Sequence, residues 1–290
     1  DYYASRGLGD VYKRQMLQET FSIQTEGSQS YAELITYILD TDQELYIKKR
    51  PLILMCPGGG YTHTSRREGE PLAMRFLAMG YHVAVLHYSC APAVYPTALL
   101  ELGQAMKVIH AHADDWHVDA DKIVVQGCSA GGHLAASLGV FWHEKWLAEK
   151  TNVDNKILRP AGLLLCYPVI TSGEYAHRGS FESLLGGKTD EELLKRVSLE
   201  KQVTPQTPQV FLWHTYTDAS VPVENSLLFA CALRKNEIPL EFHLYPRGRH
   251  GLSTADEQAA HADGAGIQEE CQSWLSLAQM WMKTSICQEN

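Results

Sequence analysis

The chain has 290 residues, of which 45% are hydrophobic and 20% charged, and its formal net charge at pH 7 is −9. This composition predicts a folded globular protein and excludes a disordered chain and a nucleic-acid-binding surface, which would need an excess of basic residues. No run approaches the roughly 18–20 apolar residues of a membrane span, and the N-terminus does not resemble a secretory signal. We therefore expect a cytoplasmic protein with neither a nucleic-acid nor a membrane partner. Seven scattered cysteines without a C-x-x-C pair indicate reduced core thiols.

The first fifteen residues differ in character from the rest of the chain. They show neither hydrophobic periodicity nor helix-capping residues, and residues 7–15 resemble a translated sequencing adaptor. We therefore expect residues 1–15 to be a non-native leader and Met16 to be the natural start, with an ordered extra strand as the alternative. Residues 16–290 contain no internal repeat, low-complexity tract or linker, which predicts a single domain.

Beyond Met16 the hydrophobic pattern predicts strands that alternate with helices. Loose alternation over residues 21–40 favours two antiparallel strands, and short continuous apolar runs favour buried strands. These runs lie at 51–56, 82–87, 123–125, 161–166 and 209–215, and a last alternating strand lies at 240–245. Helices are predicted at 70–79, 96–113, 134–138, 223–235 and 267–282. This order indicates an α/β fold with a mostly parallel sheet and helices on both faces.

One stretch interrupts the alternation of strands and helices. Residues 171–206 are polar and irregular, with one predicted helix near 190–197. This insertion is a candidate for a small cap over one edge of the sheet, and the sequence leaves open whether it acts as a lid.

Residues 127–131 carry the pattern G-x-S-x-G between a predicted strand and a predicted helix. In this pattern the central serine lies on a strained turn that projects its hydroxyl above a sheet. Gly127 and Gly131 are needed because the sharp turn brings both positions close to neighbouring main chain, where a side chain would collide. Ser129 is therefore the candidate nucleophile, and the neighbouring Cys128 is predicted to be a core residue.

A serine hydroxyl is a weak nucleophile at neutral pH and needs a base, which is oriented by a third group. In proteins with this pattern an acid and then a histidine follow on loops after later strands. Asp218 comes directly after the predicted strand 209–215, and His250 follows the predicted strand 240–245. We therefore predict that both side chains meet Ser129 at one edge of the sheet. Taken singly, Asp218 as a helix cap and His250 as a solvated loop residue are the alternatives.

Other side chains fit the roles of base and acid less well. His214 lies inside a predicted strand, and His133 lies in the helix after the nucleophile, where a packing role is expected. Glu224, the nearest rival acid, is predicted to lie inside a helix. We therefore prefer Asp218 as the acid.

A glycine-rich segment, the glycine loop (residues 57–61), follows an early buried strand. Acyl transfer places negative charge on the carbonyl oxygen, which needs N–H donors about 2.7–3.1 Å away. Because glycines let the main chain approach a substrate, we assign the N–H groups of Gly59 and Gly60 as donors, with that of Ala130 completing the oxyanion hole. A flexible glycine turn is the alternative. Residues 66–68, two arginines and a glutamate, are either a solvated charge cluster or part of the substrate mouth.

These segments together resemble the α/β-hydrolase superfamily, and more narrowly its bacterial acetyl esterase and acetylxylan-esterase-like branch, which includes feruloyl-esterase-like proteins. The resemblance covers nearly everything from Met16 onward. It rests on PGGGY at 57–61, GCSAGGHL at 127–134, YPVI at 167–170, the segment around Asp218, and His250 with Gly251.

The resemblance implies an eight-stranded, mostly parallel sheet, a Ser129, Asp218 and His250 triad, and ester hydrolysis with no cofactor and no metal. It implies short-chain acetyl esters as substrates, of carbohydrates more than of other alcohols. Cys56 is a departure, since many relatives have at this place a histidine that helps to hold the glycine loop. The rigidity of that loop is therefore an open question.

The leading hypothesis is a serine carboxylesterase that takes a small-molecule or oligosaccharide ester. A serine peptidase of the prolyl-oligopeptidase type uses the same order of triad residues and is the second hypothesis. A non-catalytic binding protein on a hydrolase scaffold is the third, although all three triad candidates are present. The sequence leaves the oligomeric state open, with a homodimer among the possibilities.

Overall fold

The computed structural model describes residues 16–41 and 45–288. The predicted leader, residues 1–15, lies outside the described residues. The strands are β1 (Leu17–Ser22), β2 (Glu33–Ile38), β3 (Arg50–Cys56), β4 (His82–His87), β5 (Val118–Cys128), β6 (Gly162–Cys166), β7 (Val210–Thr215) and β8 (Leu240–Tyr245). The helices are α1 (Glu70–Ala78), α2 (Thr97–Ala111), α3 (Ala130–Phe141), α4 (Lys145–Thr151), α5 (Asn155–Leu158), α6 (Arg178–Leu185), α7 (Glu191–Arg196), α8 (Glu224–Lys235), α9 (Glu269–Gln272) and α10 (Trp274–Trp281).

The strands form a sheet in the order β1-β2-β4-β3-β5-β6-β7-β8. β2 is antiparallel to both β1 and β4, and every other neighbouring pair is parallel. The predicted α/β architecture with an eight-stranded, mostly parallel sheet is therefore confirmed. That residues 16–290 form a single domain stays a prediction.

The central strand β3 is buried on both faces of the sheet. Leu52 and Leu54 contribute to the core that contains α2 and α3, whereas Ile53 and Met55 contribute to the core that contains α1 and α10. Successive side chains of a strand point to opposite faces, so a strand covered by helices on both sides needs a continuous apolar run. This double burial holds the carboxyl ends of the parallel strands in place, and the loops that follow them start from fixed positions.

Two strands differ in extent from the sequence prediction. The first pair was expected within residues 21–40, but β1 begins at Leu17. β1 is an edge strand whose side chains are mostly exposed, so it lacks the apolar alternation from which strands are predicted. β5 begins at Val118, before the apolar run 123–125, and Val118 pairs with Arg50 across a register shift.

The insertion at residues 171–206 contains two helices, α6 and α7, where the sequence predicted one near 190–197. α6 begins after His177, whose ring accepts a hydrogen bond from the N–H of Ser180. Histidine is not among the preferred N-cap residues, so the usual start signal is absent. The sequence also gave no prediction for α4 and α5.

The predicted C-terminal helix, residues 267–282, is two consecutive helices, α9 and α10, with Ser273 between them. Trp274, Leu275 and Met282 are buried, as their helical spacing predicted. Ile267 was assigned to the same face, and this was wrong. It precedes α9 and is 44% exposed, because the following residue has extended backbone.

The seven cysteines are free thiols, as predicted. Five of them are buried, but Cys231 of α8 is exposed and Cys287 is partly exposed, so the expectation that all are core residues was wrong. In the part of the chain that the structure describes, no helix is both long and apolar enough to cross a bilayer. The cytoplasmic location stays a prediction.

Candidate active site

Ser129 lies at the tight junction where β5 ends and α3 begins. Its backbone has φ 54° and ψ −120°, a region that non-glycine residues rarely occupy. A Cβ on Gly127 would lie 2.2 Å from the carbonyl oxygen of Gly131, and a Cβ on Gly131 would lie 2.0 Å from that of Cys56. The turn therefore excludes side chains at both glycine positions and directs the serine side chain away from the sheet.

The structure brings the three predicted triad side chains together. Nε2 of His250 lies 2.7 Å from Oγ of Ser129, and Nδ1 of His250 lies 2.6 Å from Oδ2 of Asp218. Asp218 follows β7 and His250 follows β8, and these strands are parallel neighbours. The hydroxyl, the imidazole and the carboxylate thus form one continuous hydrogen-bonded chain.

Asp218 is held by more than the imidazole of His250. Its Oδ1 accepts hydrogen bonds from the N–H groups of Ser220 and Val221, both at 2.9 Å, and its Oδ2 lies 3.2 Å from Nε2 of His214. Burial by itself would raise the pKa of Asp218, but the hydrogen bonds from His214 and His250 outweigh it and hold the pKa well below its usual range. Asp218 is therefore ionised at neutral pH.

His214 has a role that the sequence did not reveal. It is fully buried in β7, with Nδ1 2.7 Å from Oγ of Ser226 and Nε2 3.1 Å from the carbonyl oxygen of Val221. Because both groups near Nε2 are acceptors, Nε2 carries the proton, and Nδ1 accepts from the Ser226 hydroxyl. His214 therefore helps to orient Asp218. The only sequence signal for it was a polar residue inside an apolar strand.

The glycine loop presents free N–H groups beside Ser129. Gly58 donates its N–H to Oε2 of Glu68 at 2.8 Å, but within the described part of the chain the N–H groups of Gly59, Gly60 and Ala130 donate to no acceptor. Gly59 and Gly60 both have positive φ, 130° and 63°. These conformations suit glycine and leave three predicted donors available to a substrate oxygen.

Glu68 holds the glycine loop in place. The sequence did not predict this role, because residues 66–68 were interpreted only as a solvated charge cluster or as part of the substrate mouth. It is 3% exposed, and besides binding Gly58 its Oε1 accepts a hydrogen bond from the hydroxyl of Tyr167 at 2.8 Å. The Tyr167 oxygen accepts in turn from the N–H of Ser253 at 2.8 Å, and the Tyr167 ring packs edge-on against the ring of His250. One buried carboxylate thus links the glycine loop to the segment that carries His250. Many relatives have a loop-holding histidine at position 56, where this chain has a fully buried cysteine. Here Glu68 holds the loop.

Replacing Glu68 by alanine is expected to lower kcat for an acetyl ester about a hundredfold with little change in KM, because a displaced oxyanion donor acts mainly on the transition state. Glu68→Gln is expected to recover part of that loss, since its amide oxygen can still accept from Gly58. Steady-state kinetics on p-nitrophenyl acetate measures both. Glu257→Ala, an exposed acid elsewhere, is the control and should leave kcat unchanged. Equal kcat for Glu68→Ala and the control would contradict this role.

Ser129 lines a cleft of about 290 Å³, here called the Ser129 cleft. Its rim includes the imidazoles of His63, His177 and His261 and the guanidinium groups of Arg67 and Arg249. Arg67 is fixed by hydrogen bonds to main-chain carbonyl oxygens, and the insertion contributes His177. Burial, reinforced by the neighbouring His250, lowers the pKa of His177, which favours the neutral form of this imidazole. The cleft is therefore polar, with few apolar surfaces for a long acyl chain.

Two residues next to the nucleophile have structural roles, as the sequence predicted. His133 accepts from the hydroxyl of Tyr61 and donates to the carbonyl of Val197, and burial lowers its pKa to about 4, so it stays neutral. Cys128 is fully buried, and burial raises the pKa of its thiol well above the usual range. Neither side chain can take part in proton transfer at Ser129.

No group of three or more metal-binding side chains occurs in residues 16–41 and 45–288. The expectation that no metal or cofactor is needed stays a prediction.

A family model described as BD-FAE matches residues 42–233. Among curated proteins, the chain is 39% identical over 216 residues to endo-1,4-beta-xylanase B of Butyrivibrio fibrisolvens, which covers 72% of this chain and 34% of that protein. It is 26% identical over 206 residues to the acetylxylan esterase of Xylanibacter ruminicola, covering 69% of this chain and 40% of that protein.

A solved structure, that of an acetyl ester-xyloside bifunctional hydrolase from Caldicellulosiruptor lactoaceticus, has a TM-score of 0.76 and 37% sequence identity to this chain. The similarity covers 87% of this chain and 88% of that one. The chain spans between 34% and 56% of the length of the curated relatives that it matches. The likeness therefore concerns one α/β domain, which in these relatives is part of a longer protein.

Proposed function

Since this chain belongs to the BD-FAE family of α/β-hydrolases, we propose that it is a serine carboxylesterase acting on short-chain acetyl esters of carbohydrates. Within that family it lies in the acetylxylan-esterase-like branch, and its domain is that of a carboxylic ester hydrolase. The proposed triad is Ser129, His250 and Asp218. The observation that carries the proposal is the unbroken hydrogen-bonded chain from Oγ of Ser129 through the imidazole to a buried carboxylate.

In the proposed mechanism, Nε2 of His250 takes the proton of the Ser129 hydroxyl while Oγ attacks the ester carbonyl carbon. Asp218 accepts the hydrogen bond from Nδ1–H and stabilises the imidazolium that forms. His250 then gives the proton to the departing alcohol, leaving an acetyl group on Oγ. A water molecule, deprotonated by the same Nε2, attacks the carbonyl carbon of this acyl-enzyme; the bond from that carbon to Oγ breaks, His250 returns the proton to Oγ, and acetate is released.

The oxyanion of each tetrahedral intermediate would bind to the N–H groups of Gly59, Gly60 and Ala130. These donors are preorganised, because Glu68 fixes the preceding glycine and Ala130 is the first residue of α3. Donors that are already in place need no reorganisation when charge develops, which is why such sites lower the barrier strongly.

The size and polarity of the Ser129 cleft support a small acyl group and a hydroxyl-rich alcohol. About 290 Å³ of polar cleft has room for an acetyl group and part of a sugar ring, but it offers little apolar surface to a long chain. The names of two relatives, an acetylxylan esterase and an acetyl ester-xyloside hydrolase, point to the same substrate class.

The test combines active-site labelling with a substrate panel. A fluorophosphonate probe followed by peptide mass spectrometry is expected to give an adduct on Ser129, and Ser276→Ala, which removes an exposed serine of α10, should label like the wild type. On p-nitrophenyl esters, kcat/KM for acetate is expected to exceed that for octanoate roughly tenfold or more. Acetylated oligosaccharides should release acetate.

Different results would sink different parts of the proposal. Absence of labelling would favour a binding protein on a hydrolase scaffold. Faster turnover of octanoate would overturn the acyl-chain preference, and cleavage of a peptide panel in place of esters would favour a serine peptidase.

A further inference from the structure

A second cleft, larger than the one at Ser129, lies over one face of the paired strands β2 and β4. Its volume is about 730 Å³. Its floor is one face of the two strands: Glu33, Ile35 and Tyr37 alternate along β2, and Glu33 and Ile35 pair with His87 and Val85 of β4. We call this cleft the β2/β4 groove. The proposed proton transfers between Ser129, His250 and water do not involve the groove.

The β2/β4 groove meets the Ser129 cleft at His63, which lines both. The wall between them is the segment that continues from the glycine loop. Oγ1 of Thr62 donates to the carbonyl oxygen of Gly59 at 2.8 Å and lies 3.0 Å from Nδ1 of His63. The wall is therefore tied to the proposed oxyanion donors, and a substrate held at Ser129 can extend past His63 into the groove.

The groove is lined by charged side chains of both signs. Glu33, Glu70 and Arg66 all line it, and in the described part of the chain their side chains form no hydrogen bond and no ion pair. Two carboxylates and a guanidinium offer acceptors and donors without a strong excess of one charge. Such a lining suits a neutral ligand with many hydroxyl groups better than an ionic ligand or an apolar one.

An aromatic ring lies at one end of the groove. Tyr31 is 50% exposed, and its hydroxyl oxygen accepts a hydrogen bond from the N–H of Cys90 at 3.0 Å. The ring is thus anchored at its polar end while its apolar surface faces the groove. The negative face of an aromatic ring attracts the weakly positive C–H groups of a sugar ring, so Tyr31 can act as a stacking platform.

We propose that the β2/β4 groove is a subsite for a neutral oligosaccharide chain, which binds sugar residues next to the acetylated residue at Ser129. The inference rests on the proposed function and makes the preferred substrate a chain of several sugars. The groove's volume lies within the range of about 300–1,000 Å³ typical of small-molecule sites.

The first test compares substrates that reach the groove with one that does not. Acetylated xylo- and manno-tetraose are expected to have higher kcat/KM than the corresponding acetylated bioses. Tyr31→Ala should lower kcat/KM for the tetraoses roughly three- to tenfold, through KM, and leave p-nitrophenyl acetate unaffected. Tyr31→Phe keeps the ring and should retain most of the tetraose activity. Tyr46→Ala, which removes a tyrosine that is 97% exposed before β3, is the control.

A second test measures binding without catalysis. Unacetylated xylotetraose and mannotetraose are titrated calorimetrically onto the wild-type protein, which is expected to bind at least one of the two sugars. Both Tyr31→Ala and Glu33→Gln should weaken that binding. Absence of binding by both sugars, or an equal loss of activity in Tyr31→Ala on tetraoses and on p-nitrophenyl acetate, would overturn the subsite. Failure of the proposed function would show differently, as retention of p-nitrophenyl acetate hydrolysis by Ser129→Ala.

Discussion

Ser129→Ala is expected to lower kcat for p-nitrophenyl acetate by about 10⁴- to 10⁶-fold. The substitution removes the oxygen that lies 2.7 Å from Nε2 of His250, so the base loses the nucleophile that it activates. The fold should persist, because in residues 16–41 and 45–288 the side chain of Ser129 hydrogen-bonds only to His250, and alanine has the same backbone restrictions at φ 54°. Steady-state kinetics, with thermal melting for the fold, measures the effect.

The matched control is Cys128→Ala, which removes the neighbouring thiol. Cys128 is fully buried and its raised pKa keeps it protonated, so this variant should stay active. The pair of variants therefore separates a serine hydrolase from a thiol hydrolase. Activity that survived Ser129→Ala but disappeared in Cys128→Ala would refute the assignment of the nucleophile.

Asp218→Asn is expected to lower kcat by about 10⁴-fold while the three side chains stay in place. The N–H groups of Ser220 and Val221 donate to Oδ1, so the amide oxygen of asparagine must take this position. The NH₂ group then occupies the position of Oδ2 and donates to Nδ1 of His250. The imidazole is forced to carry its proton on Nε2, where it can no longer accept the proton of the Ser129 hydroxyl.

Asp263→Asn is the control for this substitution, since Asp263 is an exposed acid on the segment after His250 and lies outside the triad. It should leave kcat unchanged. A crystal structure of Asp218→Asn with an unaltered triad geometry, together with the loss of kcat, is the expected combination. If Asp218→Asn retained most of the wild-type kcat, orientation of the base by Asp218 would be refuted.

The same variant gives a second readout in acid. The folded-state pKa of Asp218 is depressed, so its contribution to the free energy of unfolding is present above the unfolded pKa of about 3.9 and is lost as the pH falls below it. Urea unfolding between pH 7 and pH 3 should therefore show a smaller loss of stability for Asp218→Asn than for the wild type. An identical pH dependence would argue against an ionised, hydrogen-bonded Asp218.

The sequence determined where the reactive groups are and the general architecture that carries them. Apolar runs set the buried strands, and the segments that follow β5, β7 and β8 carry Ser129, Asp218 and His250. Because parallel strands end at the same edge of a sheet, local patterns together with chain order were enough to predict that these three side chains meet. The glycines at 127 and 131 were predictable as well, because the sharp main-chain turn leaves no room for a side chain at either position.

The tertiary structure decided what surrounds those groups. Glu68 is read from the sequence as a surface charge, and its role depends on contacts with Gly58 and with Tyr167, which lies 99 residues away in the chain. His214 orients Asp218 only because the turn after β7 brings Oδ2 of Asp218 within 3.2 Å of Nε2 of His214. The β2/β4 groove depends on the pairing of β2 with β4, which places Glu33 and Ile35 opposite His87 and Val85. Some of these contacts join residues that are distant in the chain, and the contact between His214 and Asp218, four residues apart, depends on the backbone path of the turn between them, so no local pattern of hydrophobicity, capping or spacing records them.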